Sequence, residues 1–434
     1  MLFMKKNWYT VDAGMACKWF LILFSLLCFE AHALPSYARQ TGMDCAGCHV
    51  GAYGPQLTPA GIRFKIGGYT DSDGQEGKVP LSAMVVGSRT HTQVDQAPAP
   101  GIRANNNTKM DEASVFLAGR WTQNVGSFIQ VTYDGVAKTS ALDHMDIRYA
   151  RPVELNGKES IIGVSVNNNP GVQDPFNTMP VWGFPYVSSP VGFGTGGAAS
   201  LINGGLEHRV TGASAYVFYD DALYGEFGTY RSLSSAAQTK LGLGPVADTN
   251  QRLGGNAYWR LGWFKDYKAQ SFHLGMFGWN ANLQEDKTTP DPRNKYRDLG
   301  VDGNYQFLGT REHVATLGGS YIREHKTDGT TNLVSTVDEY KLNASYHYNQ
   351  TWGMGAGVFA NKALDAVGAD AGTRGYLWQL DWTPWGKEGH SAPAPWSAAN
   401  LRLGAQYWVY SKFNGNTANA RDQNTLYIFA WTSF

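Results

Sequence analysis

The sequence predicts an all-β fold: a transmembrane antiparallel β-barrel of about 16 strands, with a small amino-terminal α/coil segment docked in or at the lumen. Three observations lead to this fold class. From about residue 81 onward, apolar and polar residues alternate with the period of two that strands require. The chain is rich in glycine (51) and aromatic residues (23 Tyr, 20 Phe, 14 Trp), yet its mean hydropathy is only −0.33. It also ends in an amphipathic segment closed by Phe434, an ending that is typical of outer-membrane barrels.

The charge balance excludes several other classes of protein. Lys plus Arg and Asp plus Glu number 36 each, so the net charge is +0 and the pI is about 7.1. This balance gives no electrostatic basis for binding nucleic acid or for a polybasic membrane patch. Beyond the amino terminus, no uninterrupted apolar run reaches the ~20 residues of a transmembrane helix, which excludes a helical membrane protein.

Residues 1–33 have the three parts of a secretory signal peptide. Lys5 and Lys6 supply positive charge, residues 19–29 form an apolar run, and Ala31-His32-Ala33 is a small-residue cleavage site. A transmembrane anchor is the alternative, but this run falls well short of the ~20 residues that span a bilayer. We therefore expect export with cleavage of the signal.

The cysteines point to a cofactor. Cys17 and Cys28 lie in the predicted signal peptide, and the other two form the motif Cys45-Ala-Gly-Cys48-His49, the attachment signal of a single covalent c-type haem. The two thiols form thioether bonds to the porphyrin vinyl groups, and the histidine binds the haem iron as the proximal ligand. Half of a zinc site and a thioredoxin-like redox pair are the alternatives. Neither a second Cys pair nor a βαβ pattern accompanies the motif, so haem is the preferred cofactor.

Residues 34–80 are predicted to form a haem segment with its linker, ahead of a barrel at 81–434. Thr58 and Pro59 predict a helix start, with threonine as the cap and proline at the first helical position. Residues 71–78 have the composition of a polar linker. About 45 residues are near the lower limit for independent folding, so we expect the segment to dock against, or plug, the barrel. Four residues are candidates to pack on the porphyrin face, with packing on one another as the open alternative: Leu57, Phe64, Ile66 and Tyr69.

The clearest strand is residues 339–348, in which Tyr340, Leu342 and Tyr346 alternate with charged and polar residues. An aqueous sandwich strand can alternate in the same way, but aromatic residues near both ends of an apolar face favour lipid outside and water inside. Segments 129–134, 375–382 and 401–410 repeat the pattern, the last more weakly at its end. The candidate strands are 81–91, 112–121, 125–136, 141–150, 159–168, 209–220, 222–232, 256–267, 270–280, 296–308, 312–324, 337–349, 353–361, 373–383, 399–412 and 424–434.

Long turn-rich gaps between these strands are expected to be external loops. The gap at 170–205 contains an unusually aromatic and proline-rich run from Asp174 to Tyr186. We expect this run to constrict the lumen or to pack as a simple loop, in preference to covering an electron entry point. The predicted external loops are 92–111, 170–205, 233–251, 281–295, 325–336, 362–372 and 386–398.

Residues 34–69 resemble the start of the fused monohaem cytochrome–porins of the outer membrane, which include the iron oxidases of iron-oxidising bacteria. The resemblance rests on Pro35-Ser-Tyr-Ala-Arg-Gln-Thr-Gly-Met-Asp-Cys-Ala-Gly-Cys-His49, on Leu57-Thr-Pro-Ala-Gly and on Phe64-Lys-Ile-Gly-Gly-Tyr69. The barrel portion is similar only in size and approximate strand number. The resemblance implies a cytochrome in or under a barrel that carries electrons from outside the cell to periplasmic carriers. Only Cys45, Cys48 and His49 carry over residue by residue.

The sixth ligand of the haem iron stays open at this point. Met43 lies too close to the attachment site to reach round the haem easily. Besides water or an open position, the possible ligands are Met84, His91, Met110, His144 and Met145. An Fe(II) site would use oxygen or imidazole ligands, although outer-sphere oxidation needs no such site. The acidic pairs that are candidates for it are Asp111/Glu112, Asp143/Asp146 and Asp220/Asp221.

These features are compatible with more than one function. The preferred one is an electron-transfer oxidoreductase of the Gram-negative outer membrane, which oxidises extracellular Fe(II) at the haem and passes electrons to a periplasmic c-type cytochrome. The alternatives are a cytochrome–porin with another donor or acceptor, and a transport porin with an accessory haem segment. Because a pore needs no covalent redox cofactor, electron transfer is preferred, and an open lumen would favour transport.

Overall fold

The structure is a computed structural model of the chain. It describes residues 35–242, 251–290, 292–364, 368–386 and 399–434. The predicted signal peptide at 1–33 lies outside the described residues. In the described part of the chain, no helix has both the length and the apolar character needed to cross a membrane.

Sixteen strands in the described residues form one closed antiparallel barrel, in which each strand pairs with its neighbours in sequence and the first pairs with the last. The closing pair runs from Met84 opposite Ser433 to Thr92 opposite Thr425. The predicted strand number is confirmed, and each strand lies within a few residues of its predicted position. The strands are β1 Leu81–Thr92, β2 Asn107–Arg120, β3 Val125–Asp134, β4 Thr139–Leu155, β5 Lys158–Asn167, β6 Val210–Tyr219, β7 Leu223–Ser232, β8 Arg252–Asp266, β9 Gln270–Gln284, β10 Asn294–Phe307, β11 His313–Thr327, β12 Val334–Tyr348, β13 Trp352–Lys362, β14 Arg374–Trp382, β15 Asn400–Lys412 and β16 Thr425–Ser433.

The outer surface of the barrel is apolar. Tyr340, Leu342 and Tyr346, the predicted outward face of β12, are exposed, and Trp378 and Leu380 on β14 are 59% and 62% exposed. Contiguous apolar surface of this extent is rare on proteins that face only water. An outward apolar band with aromatic residues is what transmembrane barrels present to lipid. The chain is therefore an outer-membrane β-barrel.

The two ends of the barrel differ in the length of their connections. Short turns at 121–124, 156–157, 220–222, 267–269, 308–312 and 349–351 lie at one end, here called the short-turn end. Most of the connections at the opposite, long-loop end are longer, the longest being 168–209. In outer-membrane barrels short turns face the periplasm and long loops face the outside. The short-turn end is therefore the periplasmic end.

One of the predicted external loops connects two strand ends that lie at the short-turn end. Trp382, the last residue of β14, pairs with Trp352, which follows the turn at 349–351. Because strands alternate in direction, the connection from β14 to β15 emerges at the short-turn end, so the expectation of an external loop at 386–398 was wrong. Residues 387–398 themselves lie outside the described residues. The connection at 413–424, which had not been predicted as a loop, lies at the long-loop end.

Residues 35–80 occupy the lumen at the short-turn end and are called the plug. Three of the four α-helices in the described residues belong to it: α1 Pro35–Thr41, α2 Cys45–Cys48 and α3 Pro59–Ile66, with α4 Ser235–Lys240 after β7. The predicted helix start is confirmed, because Thr58 caps α3 by accepting a bond from Gly61 N–H at 3.4 Å. Hydrogen bonds to widely separated strands and turns hold the plug. The plug donates from Tyr37 to Ser127 O, from Gly51 N–H to Gln350 Oε1 and from Tyr53 to Trp431 O. The barrel donates from Gln306 to Leu57 O and from Tyr216 to Ile66 O.

The connection 168–209, called the inner loop, folds into the lumen and fills much of it. Met179 and Ile202 are buried in a cluster with strand residues such as Trp279. Phe184 and Phe193 pack on a second cluster formed by strand residues of β13 to β15. The expectation that the aromatic run constricts the lumen is confirmed. The expectation of water inside the barrel is wrong for the part of the lumen that the inner loop fills, because inward-facing Tyr, Trp and Phe side chains of the strands pack on the loop there.

Polar contacts fix both limbs of the inner loop to the wall. Asp174 accepts bonds from the N–H groups of Phe176, Thr178 and Met179, and it pairs with the fully buried Arg260 of β8 at 3.0 Å. On the returning limb, the N–H groups of residues 200–202 donate to Glu339, Glu324 and Asp298 on the inner wall. These carboxylates take up backbone donors that would otherwise be buried without partners.

Candidate functional site

A cavity lies between the plug, the inner loop and the barrel wall. Its volume is about 310 Å³, and it is partly open to solvent. Pockets for small organic ligands span ~300–1000 Å³, so the cavity lies at the lower end of that range. Cys48 and His49 of the plug form part of its wall, and strands β1 to β4, β15 and β16 contribute the opposite parts.

The Cys-x-x-Cys-His motif forms one helical turn that ends at the cavity. The N–H of His49 donates to Cys45 O at 2.8 Å, which closes the turn and brings the two thiols onto the same side. Cys45 is buried, and its sulfur accepts a bond from Asn400 Nδ2 at 3.4 Å. Burial raises the pKa of the Cys48 thiol to about 11, so it remains protonated at neutral pH until it reacts.

The next feature of this turn is the imidazole of His49, whose Nδ1 atom is buried. Its Nδ1 has no hydrogen-bond partner within the described part of the chain. Burial lowers the pKa of His49 to about 4, so the ring is neutral at pH 7. Neutral imidazole is the form that binds metal. The ring therefore has the protonation state that iron ligation requires.

Nine Phe, Tyr and Trp side chains line the cavity. Three of the four residues predicted to pack on the porphyrin, Leu57, Phe64 and Tyr69, line the cavity. The prediction for Ile66 was wrong, because Ile66 is fully buried against the barrel wall with Ile62 and Ala150. Residues two apart on a helix point about 200° apart, so α3 cannot present both Phe64 and Ile66 to one cavity. The other aromatic residues of the lining are Tyr37, Tyr53, Phe116, Phe128, Trp182, Tyr186 and Trp431.

The candidates for the sixth iron ligand divide into two groups. Met84 on β1 and His144 on β4 line the cavity, whereas His91, Met110 and Met145 do not. Met110 is 42% exposed, and His91 lies on the exposed part of β1. Met43, which adjoins the motif, also lines the cavity. The structure thus brings two of the five candidates together with His49.

A β-bulge turns His144 towards the cavity. Ile129 pairs with Met145, while Val131 pairs with Leu142, so Gln130 stands opposite both Asp143 and His144. The extra residue in β4 allows these two adjacent side chains to line the cavity, although successive side chains of a regular strand point to opposite faces. Bulges commonly re-aim side chains beside functional sites in this way.

The acidic pairs are separated by the fold. Glu112 and Asp143 line the cavity, but Asp111 and Asp146 are buried in hydrogen bonds to the barrel wall. Asp221 accepts a bidentate pair from Arg63 at the short-turn end. In the part of the chain that the structure describes, no group of three or more His, Cys, Asp and Glu side chains is arranged to hold a metal ion. None of the three predicted pairs therefore stands together as a unit at the cavity.

Several cavity residues were not identified from the sequence as site residues. Trp182, from the inner loop, packs against His144 with ring centroids 5.2 Å apart and the rings tilted by 31°. Lys65 Nζ lies 4.5 Å above the Trp182 ring and donates to Val172 O and Asn177 Oδ1 at 2.8 and 2.9 Å. These contacts join the plug to the inner loop. No local sequence pattern marks them, because barrel closure and loop folding bring together residues more than a hundred positions apart.

The residues present fit a covalently attached haem. Cys48 and His49 line a cavity whose surface is mainly apolar and includes nine Phe, Tyr and Trp side chains, which suits a flat apolar ring. Cys45 lies one turn away on the same helix. The buried and unpartnered Nδ1 of His49 marks a histidine whose surroundings in the protein do not satisfy it.

Comparisons with known proteins yield similar folds only. No family model and no curated protein matches the chain. Similar solved structures include the outer membrane channel DcaP of Acinetobacter baumannii (11% identity, TM-score 0.49, covering 82% of this chain and 97% of that one). Others are a loop L8 deletion mutant of OmpT, an outer membrane protein of Vibrio cholerae (10%, 0.45, 82% and 98%), and Salmonella typhi OmpF in complex with daunomycin (10%, 0.42, 82% and 98%). The barrel follows from the strand pairing of this chain itself.

Proposed function

We propose that this protein is an outer-membrane electron-transfer oxidoreductase that oxidises extracellular Fe(II) and passes the electrons to a periplasmic c-type cytochrome. The cofactor is one c-type haem, attached to Cys45 and Cys48 with His49 as an axial ligand of its iron. The observation that carries the proposal is the placement of this motif in the wall of an aromatic cavity inside a plugged barrel. In the net reaction each Fe(II) loses one electron, and the periplasmic acceptor gains it.

The position of the plug supports transfer across the membrane. The motif lies at the short-turn, periplasmic end, where a periplasmic protein approaches the barrel. The cavity extends from the motif to Asp143 and Trp182, which come from β4 and the inner loop. The haem, when bound, supplies a one-electron iron couple between the two sides. The chain holds that couple within the membrane, so neither soluble partner has to cross it.

Ion pairs and hydrogen bonds hold the elements around this site in place. Arg63 donates two hydrogen bonds to Asp221 and one to Asp266 at 2.8 Å, which fixes α3 to the turn at 220–222 and to the end of β8. Arg148 is fully buried and donates to Lys65 O at 3.1 Å. A fixed, largely apolar surrounding lowers the reorganisation that accompanies a change of charge.

The filled lumen favours electron transfer over solute transport. The plug occupies the periplasmic end, and the inner loop contacts the wall on both sides of the lumen. A transport porin needs a continuous aqueous path, whereas electron transfer does not. Full-length protein in planar bilayers is therefore expected to pass little ion current, and a large steady current would favour the transport alternative.

The test is anaerobic visible spectroscopy of the full-length, haem-loaded protein. Addition of Fe(II) at near-neutral pH is expected to produce the reduced α-band rapidly. The variant His49→Ala is expected to lose this response, while His91→Ala, a matched change at an exposed histidine, is expected to keep it. A haem that dithionite reduces but Fe(II) does not would exclude iron as the donor. Absence of covalent haem in the wild-type protein would exclude the electron-transfer function itself.

A further inference from the structure

We propose that His144 is the second protein ligand of the haem iron, in addition to His49. This inference rests on the proposed haem and assigns the ligand that the sequence leaves open. It makes the site a bis-histidine centre in which one ligand comes from the plug and the other from the barrel wall.

The first support is the state of the His144 imidazole. Its Nδ1 bonds to Gln130 Oε1 at 3.1 Å, and its Nε2 is buried with no hydrogen-bond partner among the residues that the structure describes. A buried polar nitrogen without a partner is costly. A metal-binding histidine typically bonds to the protein through one nitrogen and to the metal through the other. Gln130 thus holds the ring in the arrangement that leaves Nε2 for iron.

The second support is that the fold holds the ring rigidly at the cavity. The bulge opposite Gln130 places His144 in the wall of the cavity that Cys48 and His49 also line. The Trp182 ring packs against the His144 ring with a tilt of 31°, and Lys65 Nζ of the plug lies over the Trp182 ring, 4.5 Å from its centroid. The ligand on the wall is therefore braced by the inner loop and, through it, by the plug.

The third support is the contrast with Met84. The Met84 sulfur accepts a bond from Trp431 Nε1 at 3.2 Å, so its lone pair already has a partner. The remaining candidates from the sequence do not line the cavity. His144 is thus the candidate whose donor atom is both at the site and unsatisfied.

The experiment compares spectra of the full-length, haem-loaded protein and two variants. Ferric wild-type protein is expected to be low-spin by electron paramagnetic resonance, with the near-infrared charge-transfer band of two imidazoles and without the methionine–iron band. His144→Ala is expected to become high-spin, and added imidazole is expected to restore the low-spin spectrum. The matched variant Met84→Leu is expected to keep the wild-type spectrum.

Two further measurements keep the result interpretable if His144→Ala does not fold. The near-infrared band of the wild-type protein distinguishes the ligand pairs without any substitution. His144→Met keeps a ligand of similar length and is expected to gain the methionine–iron band and a higher reduction potential, since methionine ligation raises the potential. Heat-modifiable mobility on gels reports whether each barrel is folded.

Certain results would overturn the inference. A high-spin wild-type ferric haem would do so, as would an unchanged spectrum in folded His144→Ala or loss of the low-spin signal in Met84→Leu. Each of these leaves the proposed function standing, because covalent haem and its reduction by Fe(II) are measured separately. Conversely, bis-histidine spectra without reduction by Fe(II) would remove the iron donor and leave His144 as the ligand.

Discussion

Gly61 allows α3 to pack directly against the Cys-x-x-Cys-His turn, and its substitution is expected to loosen the plug. A Cβ at this position would lie 2.4 Å from Cys48 O and 3.0 Å from Leu57 Cδ2. Ordinary contact begins at 3.4 Å, so α3 would have to retreat from the motif by about 1 Å. The nearest obstacle is a backbone carbonyl, which cannot rotate away as a side chain can.

The size of the effect follows from two opposing terms. Overpacking of this kind costs about 1–3 kcal/mol, while replacing glycine by alanine inside a helix returns about 1 kcal/mol. Gly61→Ala is therefore expected to destabilise the docked plug by about 0–2 kcal/mol. Gly61→Val adds two methyl groups and returns only about 0.4 kcal/mol of helix propensity, so its cost is expected to be larger.

Limited proteolysis of the folded barrel measures this effect. Cleavage of a transiently opened segment follows the population of the open form when reclosing is fast, and 1–2 kcal/mol changes that population about 5- to 30-fold. Cleavage is expected to be fastest in Gly61→Val, slower in Gly61→Ala and slowest in the wild-type protein. Gly47→Ala is the matched control inside the motif, because its Cβ would meet only the flexible end of Met43 at 3.1 Å. Equal rates for Gly61→Val and wild type would refute the reasoning.

Two other predictions concern the contacts of the plug and the inner loop. Burial, and secondarily the charge of Arg148, lower the pKa of Lys65 to about 7 from its ordinary 10.5. The undocked plug keeps this proton to higher pH, so docking releases the proton and is expected to become more favourable between about pH 7 and 10.5. Proteolysis of the plug is therefore expected to slow across this range in the wild-type protein and not in Lys65→Met. A wild-type cleavage rate that does not change with pH would contradict the prediction. Asp174→Asn removes one of the two carboxylates that pair with the buried Arg260. This change is expected to destabilise the docked inner loop by about 3 kcal/mol. The freed loop is expected to give a higher ion current in planar bilayers than the control Asp286→Asn, which changes an exposed carboxylate.

The sequence predicts the barrel well because each strand meets two different solvents. Lipid on one side requires apolar residues at every second position, as on β12, so strand positions and number can be read from alternation alone. Trp408 and Tyr410 show where this fails. They are inward-facing and buried against the inner loop, so the lumen side of β15 is apolar near the end of the strand and the alternation fades there.

The cofactor motif is local and can be read directly, but the walls of the cavity cannot. His144 and Met145 are adjacent, and a regular strand would place only one of them inside. The bulge opposite Gln130 determines that His144 faces the cavity, and no residue type in that stretch predicts a bulge. Trp182 and Trp431 reach the site only through the folding of a long loop and the closure of the ring. Such contacts depend on tertiary packing, which no short-range pattern encodes.

The seam between β1 and β16 has a consequence for biogenesis. Trp431 and Ser433 of the last strand, together with Asn400, complete the cavity around a plug that immediately precedes the first strand. The chamber therefore does not exist until the carboxyl-terminal strand has joined the amino-terminal one. The plug therefore has to be in place when this last strand pair forms, so enclosure of the amino-terminal segment and closure of the barrel belong to the same step of assembly.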